Sequence, residues 1–381
     1  MSKNTYFPYF DYLRIVLASV VMLFHYDIIT WGIGAKFAVD VFFALSGWLI
    51  GGILLNTQSK DLPKFYFARV TRIWVPYYIA LCLLVIASLF KDTVDQKWLE
   101  FIFFKITWVY NLFGPPQISE CINCMPLGGA GNHFWSVNAE EQFYLIAPLI
   151  FILVFQFRYR ILVWALLAGL LIAAGAYGAI TLGVLAAIFF SRRMEWVIRW
   201  EFRLISLLVC MAAVTGLFVF DNYAVFAPFA AISLVLFLAI PGKKHTLGTL
   251  LGGMSYPLYL NHWLGAVFFG AVFKKLNLEN QTLENLAAVA MSYTMAAFLF
   301  WFIERPILAN RNEFYSHSRG LWCAATSYLL VLMGLAVGLY MHLSWSMLVI
   351  AGIFLVSAVV LSVKLTTDQL QLRMAMHNTI R

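Results

Sequence analysis

Twelve apolar runs, most of them close to the length of a membrane-crossing helix, follow one another along this chain, and Lys and Arg gather in the gaps between them. The runs cover 11–27, 36–56, 74–91, 140–157, 160–177, 178–191, 203–220, 224–240, 255–274, 284–304, 320–341 and 345–364. Crossing the hydrocarbon core takes about 20 predominantly apolar residues in helical form. The pattern therefore dictates an all-α polytopic integral membrane protein. Composition agrees, because 62% of the residues are hydrophobic and 12% charged, more apolar surface than a soluble core can hide. The formal net charge of +8 is no nucleic-acid footprint. Its cations sit in short clusters between the runs, where they set membrane orientation, and nucleic acid is excluded as a partner.

One further run, 98–113 (WLEFIFFKITWVYNLF), contains Glu100 and Lys105 and is short for a span. If it does not cross, then Lys60 to Arg72, Arg158 with Arg160, Arg192 to Arg203, Lys243 with Lys244, Arg305 to Arg319 and the tail cations all share one side. Clustered Lys and Arg mark the cytoplasmic side. If it does cross, Arg158 and Arg160 fall opposite Lys60 to Arg72. The reading is thus a re-entrant or interfacial helix near 98–113, inside an outer-face segment spanning 92–139, with both termini cytoplasmic.

The first run ends at Asp27 and Trp31 with no small-x-small cleavage pattern, so it reads as a mature helix and not a signal peptide. Seventeen residues follow position 364, which leads us to expect no soluble C-terminal domain. Internal repeats and heptads are absent. Cys82, Cys210 and Cys323 lie in or beside apolar runs and read as small buried residues. Cys121 and Cys124 fall in the outer-face segment, where two readings stand: a small disulfide or free thiols, or a zinc site with His133 as third ligand. A single CxxC favours the first, and no metal is expected.

Arg14 and His25 are the costly residues of the first run. Eleven helical steps bring them within about 20° of one face and about 16 Å apart along the axis. Ionisable groups inside a membrane segment usually line a pathway or an active site. Asp40, at the start of the second run, and Glu140 or Glu141, at the start of the fourth, are acidic groups expected near the depth of His25. Successive helix positions differ by about 100°, so the two glutamates face different ways. Structural ion pairs or polar clasps between helices are the alternative for all four groups. In SYPLYLNHW, Ser255 reads as a helix cap, Pro257 as first-turn proline, and Ser255, Tyr259 and His262 share a face. Gly47, beside Ser46, reads as a point of close helix approach.

Taken in order, YFDYLRIVLASVVMLFHY, VDVFFALSGWLIGGIL, FYFARVTRIWVPYY, HFWSVNAEEQFYLIAPL, SYPLYLNHW and FIERPIL resemble the membrane acyltransferase 3 family, bacterial multi-pass enzymes that O-acylate sugars and related acceptors. The resemblance runs from about residue 6 to 308 and keeps both the Arg-x10-His and the Arg-x-x-Arg spacings. It implies a ten-helix acyltransferase core over 1–310, with 311–381 adding two transmembrane helices and a short cytoplasmic tail, and without the esterase-like domain fused to some members. It implies an acyl-CoA-dependent O-acyltransferase of the bacterial inner membrane, with acetyl the commonest acyl group and a surface polysaccharide or lipid-linked sugar as acceptor. Donor binding falls to Arg14, Arg69, Arg72, Tyr259 and His262; Arg69 and Arg72, three apart, share a helix face and suit phosphate. Catalysis falls to His25 as base, oriented by a carboxylate from Asp40, Glu140 or Glu141, and Glu140 fits the family spacing after Trp135 and Ser136. Glu304 and Arg305, ahead of Pro306, are expected to pair with loop arginines at the donor mouth. A secondary transporter or exporter is the alternative of another class, although nothing in the second half mirrors Arg14 with His25; a membrane scaffold is a third.

Overall fold

The computed structural model describes residues 5–115, 121, 124–154 and 158–379, with side chains described through 368. In chain order the helices are α1 (Pro8–His25), α2 (Gly34–Leu54), α3 (Leu62–Leu89), α4 (Gln96–Ile106), α5 (Tyr110–Phe113) and α6 (Phe134–Pro148). There follow α7 (Ile161–Ala173), α8 (Gly178–Phe190), α9 (Met194–Ile198), α10 (Trp200–Val219), α11 (Tyr223–Leu238) and α12 (Thr246–Asn261). The last are α13 (Trp263–Lys275), α14 (Gln281–Leu299), α15 (Arg305–Phe314), α16 (His317–Met341) and α17 (Trp345–Thr379). No strand occurs among the described residues. The protein is an all-α membrane protein.

Among the described residues, seven helical stretches are long and apolar enough to cross a membrane: 8–25, 34–54, 59–89, 200–219, 281–314, 317–341 and 345–368. The other apolar runs form shorter or broken helices. Residues 161–173, 178–190 and 223–238 are apolar helices of under 18 residues. The run 140–157 becomes α6 followed by a π-turn at Leu149–Leu153, and its residues 155–157 lie outside the described part. The run 255–274 is divided at His262 between α12 and α13. In α7 the exposed Leu162, Leu166 and Leu170 form a stripe four residues apart, exposed by 78%, 68% and 68%. Bare leucine at that density suits acyl chains.

Polar residues mark the helix starts, where unpaired backbone N–H groups need acceptors. Asp95 accepts from the Trp98 N–H at 2.7 Å, Asn222 from Val225 at 3.3 Å, Asn280 from Leu283 at 3.0 Å and Ser316 from Arg319 at 3.2 Å. Ser255 is different. It was expected to cap its helix, but α12 begins nine residues earlier, at Thr246. Ser255 lies buried inside the helix with Oγ donating to the Gly252 carbonyl at 2.6 Å, and Pro257 is an interior proline. The helix extends back because Gly248 and Gly252 let this segment lie close against Tyr12 and Asp11 of α1, and that packing outweighs the proline penalty.

The chain clusters into two compact units, each discontinuous in sequence: Met1–Asn56 with Tyr159–Arg305, and Thr57–Arg158 with Pro306–Arg381. In the first unit α1 packs on α12, α2 on α8, and α13 on α14. Gly47 does permit the expected close approach: a β-carbon there would sit 2.0 Å from the Ile180 carbonyl oxygen of α8. In the second unit α16 packs on α3, with the Tyr328 hydroxyl donating to the Leu145 carbonyl at 2.7 Å. Here α4, at 11 residues, spans about 16 Å and is too short to cross, in keeping with a re-entrant or interfacial segment. Cys121 and Cys124 are joined as a disulfide.

Candidate active site

The first unit carries Arg14 and His25 on α1. Near the start of that helix, Arg14 Nη1 donates to Asp11 Oδ1 at 3.2 Å, and the Tyr6 hydroxyl donates to the other carboxylate oxygen. The spacing of three residues puts cation and anion on one face, so Asp11 balances the guanidinium charge. Halfway along, the Ser19 hydroxyl meets the Tyr293 hydroxyl at 2.6 Å. His25 closes the helix, in its last turn, with an exposed side chain.

A second imidazole stands against it. His25 Nδ1 and His262 Nε2 are 3.0 Å apart, and the two rings lie within 5° of parallel with centroids 5.0 Å apart. The centroids are farther apart than the nitrogens, so the rings are displaced sideways and not stacked face to face, with the two nitrogens at hydrogen-bonding distance. His262 is 2% exposed, and its own Nδ1 lies 2.8 Å from the Tyr259 carbonyl oxygen. Its backbone carbonyl, at the α12 to α13 break, accepts from Ser292 Oγ at 3.0 Å, from the Tyr26 hydroxyl and from the Gly265 N–H at 3.2 Å. Tyr26 and Ser292 share a further 2.7 Å bond. Tyr259 is buried and packs edge-on to Phe42 with ring centroids 6.0 Å apart. Asp40, on α2, accepts a 2.6 Å bond from the Tyr223 hydroxyl, whose ring also carries the Lys36 ammonium 4.1 Å from its centre. The group that meets His25 Nδ1 is thus the imidazole of His262.

The second unit carries the remaining expected residues. Arg69 lies over the rings of Phe65 and Tyr144, 5.8 and 5.7 Å from their centroids, and its Nε finds no hydrogen-bond partner among the described residues. Arg72 is exposed, and Arg311 of α15 lies near enough for the two cations to repel. Glu141 is 4% exposed and faces the interior, attracted by Arg69, while Glu140 is half-buried. Adjacent helix positions diverge by about 100°, which accounts for the split. The Trp74 indole N–H faces the Glu141 carboxylate, whereas Arg69 Nε has no such acceptor among the described residues. Buried polar atoms without partners are uncommon enough to point to a ligand or water. In the first unit, Arg305 lies over the Trp301 ring at 4.1 Å.

Sequence reasoning missed two groups. One is the pair Tyr26 and Ser292, which fixes the break at His262. A hydroxyl in the middle of an apolar run and a tyrosine next to His25 were the signals present. The other is Lys105, which is 2% exposed, with Nζ 3.0 Å from the centre of the Tyr110 ring. Tyr77 donates to the Lys105 carbonyl at 2.9 Å and accepts from Asn138 Nδ2 at 2.9 Å. Burial pushes the Lys105 amine well below the usual lysine range. Among the described residues no three His, Cys, Asp or Glu side chains gather as a metal site.

The family model for the acyltransferase domain matches residues 7–305. The chain belongs to the acyltransferase 3 family. Peptidoglycan O-acetyltransferase OatA of Listeria monocytogenes is 33% identical to this family member over 171 residues, which are 40% of this chain and 25% of that protein. O-acetyltransferase OatA of Staphylococcus aureus is 29% identical over 181 residues, 46% of this chain and 30% of that protein. The match thus takes in less than a third of either relative. No solved structure matches this acyltransferase 3 chain.

Proposed function

We propose that this chain is an integral-membrane O-acyltransferase of the bacterial inner membrane, with both termini cytoplasmic. It takes an acyl group, acetyl in the first instance, from cytoplasmic acyl-CoA and passes it to a hydroxyl of a carbohydrate such as peptidoglycan or a lipid-linked sugar. The observation that carries this reading is the exposed imidazole of His25, held by a hydrogen bond to His262 on a helix that also bears Arg14. Family membership and relatives named as O-acetyltransferases support it.

In this reading Arg14 of the first unit, and Arg69 and Arg72 of the second, are the basic groups suited to the anionic head of the donor. Guanidinium forks suit phosphate, and the Nε of Arg69, which has no partner among the described residues, is a donor in need of an acceptor. The acceptor hydroxyl oxygen attacks the thioester carbonyl carbon while its proton passes to His25. The C–S bond then breaks, and the departing thiolate takes that proton to leave as the thiol. Asp40, on the neighbouring α2 of the same unit as His25, supplies negative charge for the protonated imidazole, Tyr259 shapes the acyl channel, and Glu140 and Glu141 of the second unit are carboxylates suited to acceptor hydroxyls. A general base of this kind contributes about 10²–10⁴-fold.

Purified protein in lipid vesicles, given acetyl-CoA labelled in the acetyl group and a glycan acceptor, tests the reading. Label recovered on the acceptor in ester linkage is the expected result. Flux of an unmodified glycan across the vesicle wall, with no ester formed, would overturn it in favour of a transporter.

A further inference from the structure

A neutral imidazole can place its proton on either nitrogen, and only the nitrogen without it can act as a base. Which one that is at His25 follows from a chain of contacts in the first unit. The chain begins at a backbone carbonyl. A carbonyl oxygen can only accept, so the 2.8 Å contact between His262 Nδ1 and the Tyr259 oxygen requires the proton of His262 to be on Nδ1. In the neutral ring that leaves Nε2 of His262 as a lone pair. The 3.0 Å contact with His25 Nδ1 then requires the His25 proton to be on Nδ1, which leaves the basic lone pair of His25 on Nε2.

We infer that His262 is a positioning residue that holds His25 in the Nδ1–H tautomer, so that Nε2 is the nitrogen that receives the acceptor's proton. The parallel, laterally displaced rings fit this role, because their nitrogens face each other at 3.0 Å, whereas face-to-face stacking would not direct a hydrogen bond. The burial difference fits as well. The orienting ring is 2% exposed and the oriented ring is exposed, so the partner is held by packing while the reacting group stays accessible. His262 is anchored in turn at its carbonyl by Ser292 and Tyr26, contacts that tie the break between α12 and α13 to α14 and to the end of α1. When Nε2 of His25 takes a proton, Nδ1–H still donates to the same acceptor, so the ring need not turn during the reaction. The buried aspartate of a serine protease fixes its histidine in the same sense; here a second imidazole does so without carrying charge.

The inference rests on His25 acting as base, and two measurements separate its failure from the failure of that reading. Nitrogen-15 NMR of histidine-labelled protein in lipid, with the His25 signals assigned by their loss in His25→Gln, reports the tautomer whether or not the protein is a transferase. Wild type should show a protonated Nδ1 and an unprotonated Nε2 at His25, and His262→Ala should move His25 toward the opposite tautomer or a mixture. A protonated Nε2 in wild type, or an unmoved His25 in His262→Ala, would overturn the inference. In the labelled-acetyl assay, His262→Ala should lower kcat by about 10²-fold with the KM for acetyl-CoA within about threefold, because the partner acts on proton transfer and not on donor binding. His262→Gln places an amide oxygen where Nε2 was and can accept from His25 Nδ1–H, so it should recover at least tenfold of that loss. A Gln variant as impaired as Ala, in protein whose NMR shows a folded chain, would mark His262 as a helix-packing residue only.

Discussion

Replacing Lys105 by methionine should stabilise this protein at neutral pH and remove a pH dependence from its stability. Lys105 is 2% exposed, with Nζ against the Tyr110 ring, and burial drives its amine well below the usual lysine range. A lysine whose folded-state pKa is depressed binds fewer protons when folded than when unfolded, between the folded value and the unfolded value near 10.4. Unfolding free energy therefore rises with pH across that window, at up to about 1.4 kcal/mol per pH unit. Below the window the penalty is constant and fully present; above it, the penalty is gone. The ring contact offsets part of it, about 2 kcal/mol for a desolvated cation on an aromatic face. Methionine keeps the stem volume and removes the amine. The Tyr77 bond survives, because it goes to the backbone carbonyl. Thermal unfolding in detergent, followed by ring fluorescence from pH 6 to 10, should show wild type gaining stability as pH rises and Lys105→Met starting higher and staying flat by comparison. A variant less stable than wild type at neutral pH, or one that keeps the same rise, would refute the reasoning.

Three further outcomes follow from named contacts. Gly47→Val should separate α2 from α8 and destabilise the first unit by about 3 kcal/mol or more, since even a β-carbon would lie 2.0 Å from the Ile180 carbonyl oxygen; a melting temperature equal to wild type would contradict that packing. Arg69→Gln and Arg72→Gln should each raise the KM for acetyl-CoA about tenfold or more with a smaller change in kcat, as expected for lost phosphate contacts; an unchanged KM in both removes them from donor binding. Asp11→Asn leaves Arg14 without its balancing carboxylate and should tighten acetyl-CoA binding in equilibrium titration, because the guanidinium is no longer shared; unchanged or weaker binding would remove Arg14 from donor binding.

The fold class was legible in the alternation of apolar runs and basic clusters, since the bilayer imposes length and polarity on each segment. Charge bias also identified 98–113 as the exception, and α4 is indeed too short to cross. What the pattern could not show was how helices pair. His25 and His262 were each singled out, yet 237 positions separate them, and helical periodicity reports which face of a helix is apolar without saying what covers it. The same limit hid the support from Ser292 and Tyr26 and led Ser255 to be read as a cap: propensity places a helix start before Pro257, while packing of 246–254 against α1 carries the helix through it. Lys105 was seen only as a charge opposing membrane crossing. Its burial depends on the turn that follows α4, where Trp108 takes a positive φ of 62° and brings Tyr110 back over the amine.

His25 takes the proton of the acceptor hydroxyl in the proposed reaction. The most direct measurement is the turnover of labelled acetyl-CoA into acceptor ester by wild type and His25→Ala, each reconstituted in vesicles and matched for folded protein. The variant should lose about 10²–10⁴-fold in kcat, with acetyl-CoA still bound as measured by equilibrium titration. Turnover in His25→Ala within a few-fold of wild type would contradict it.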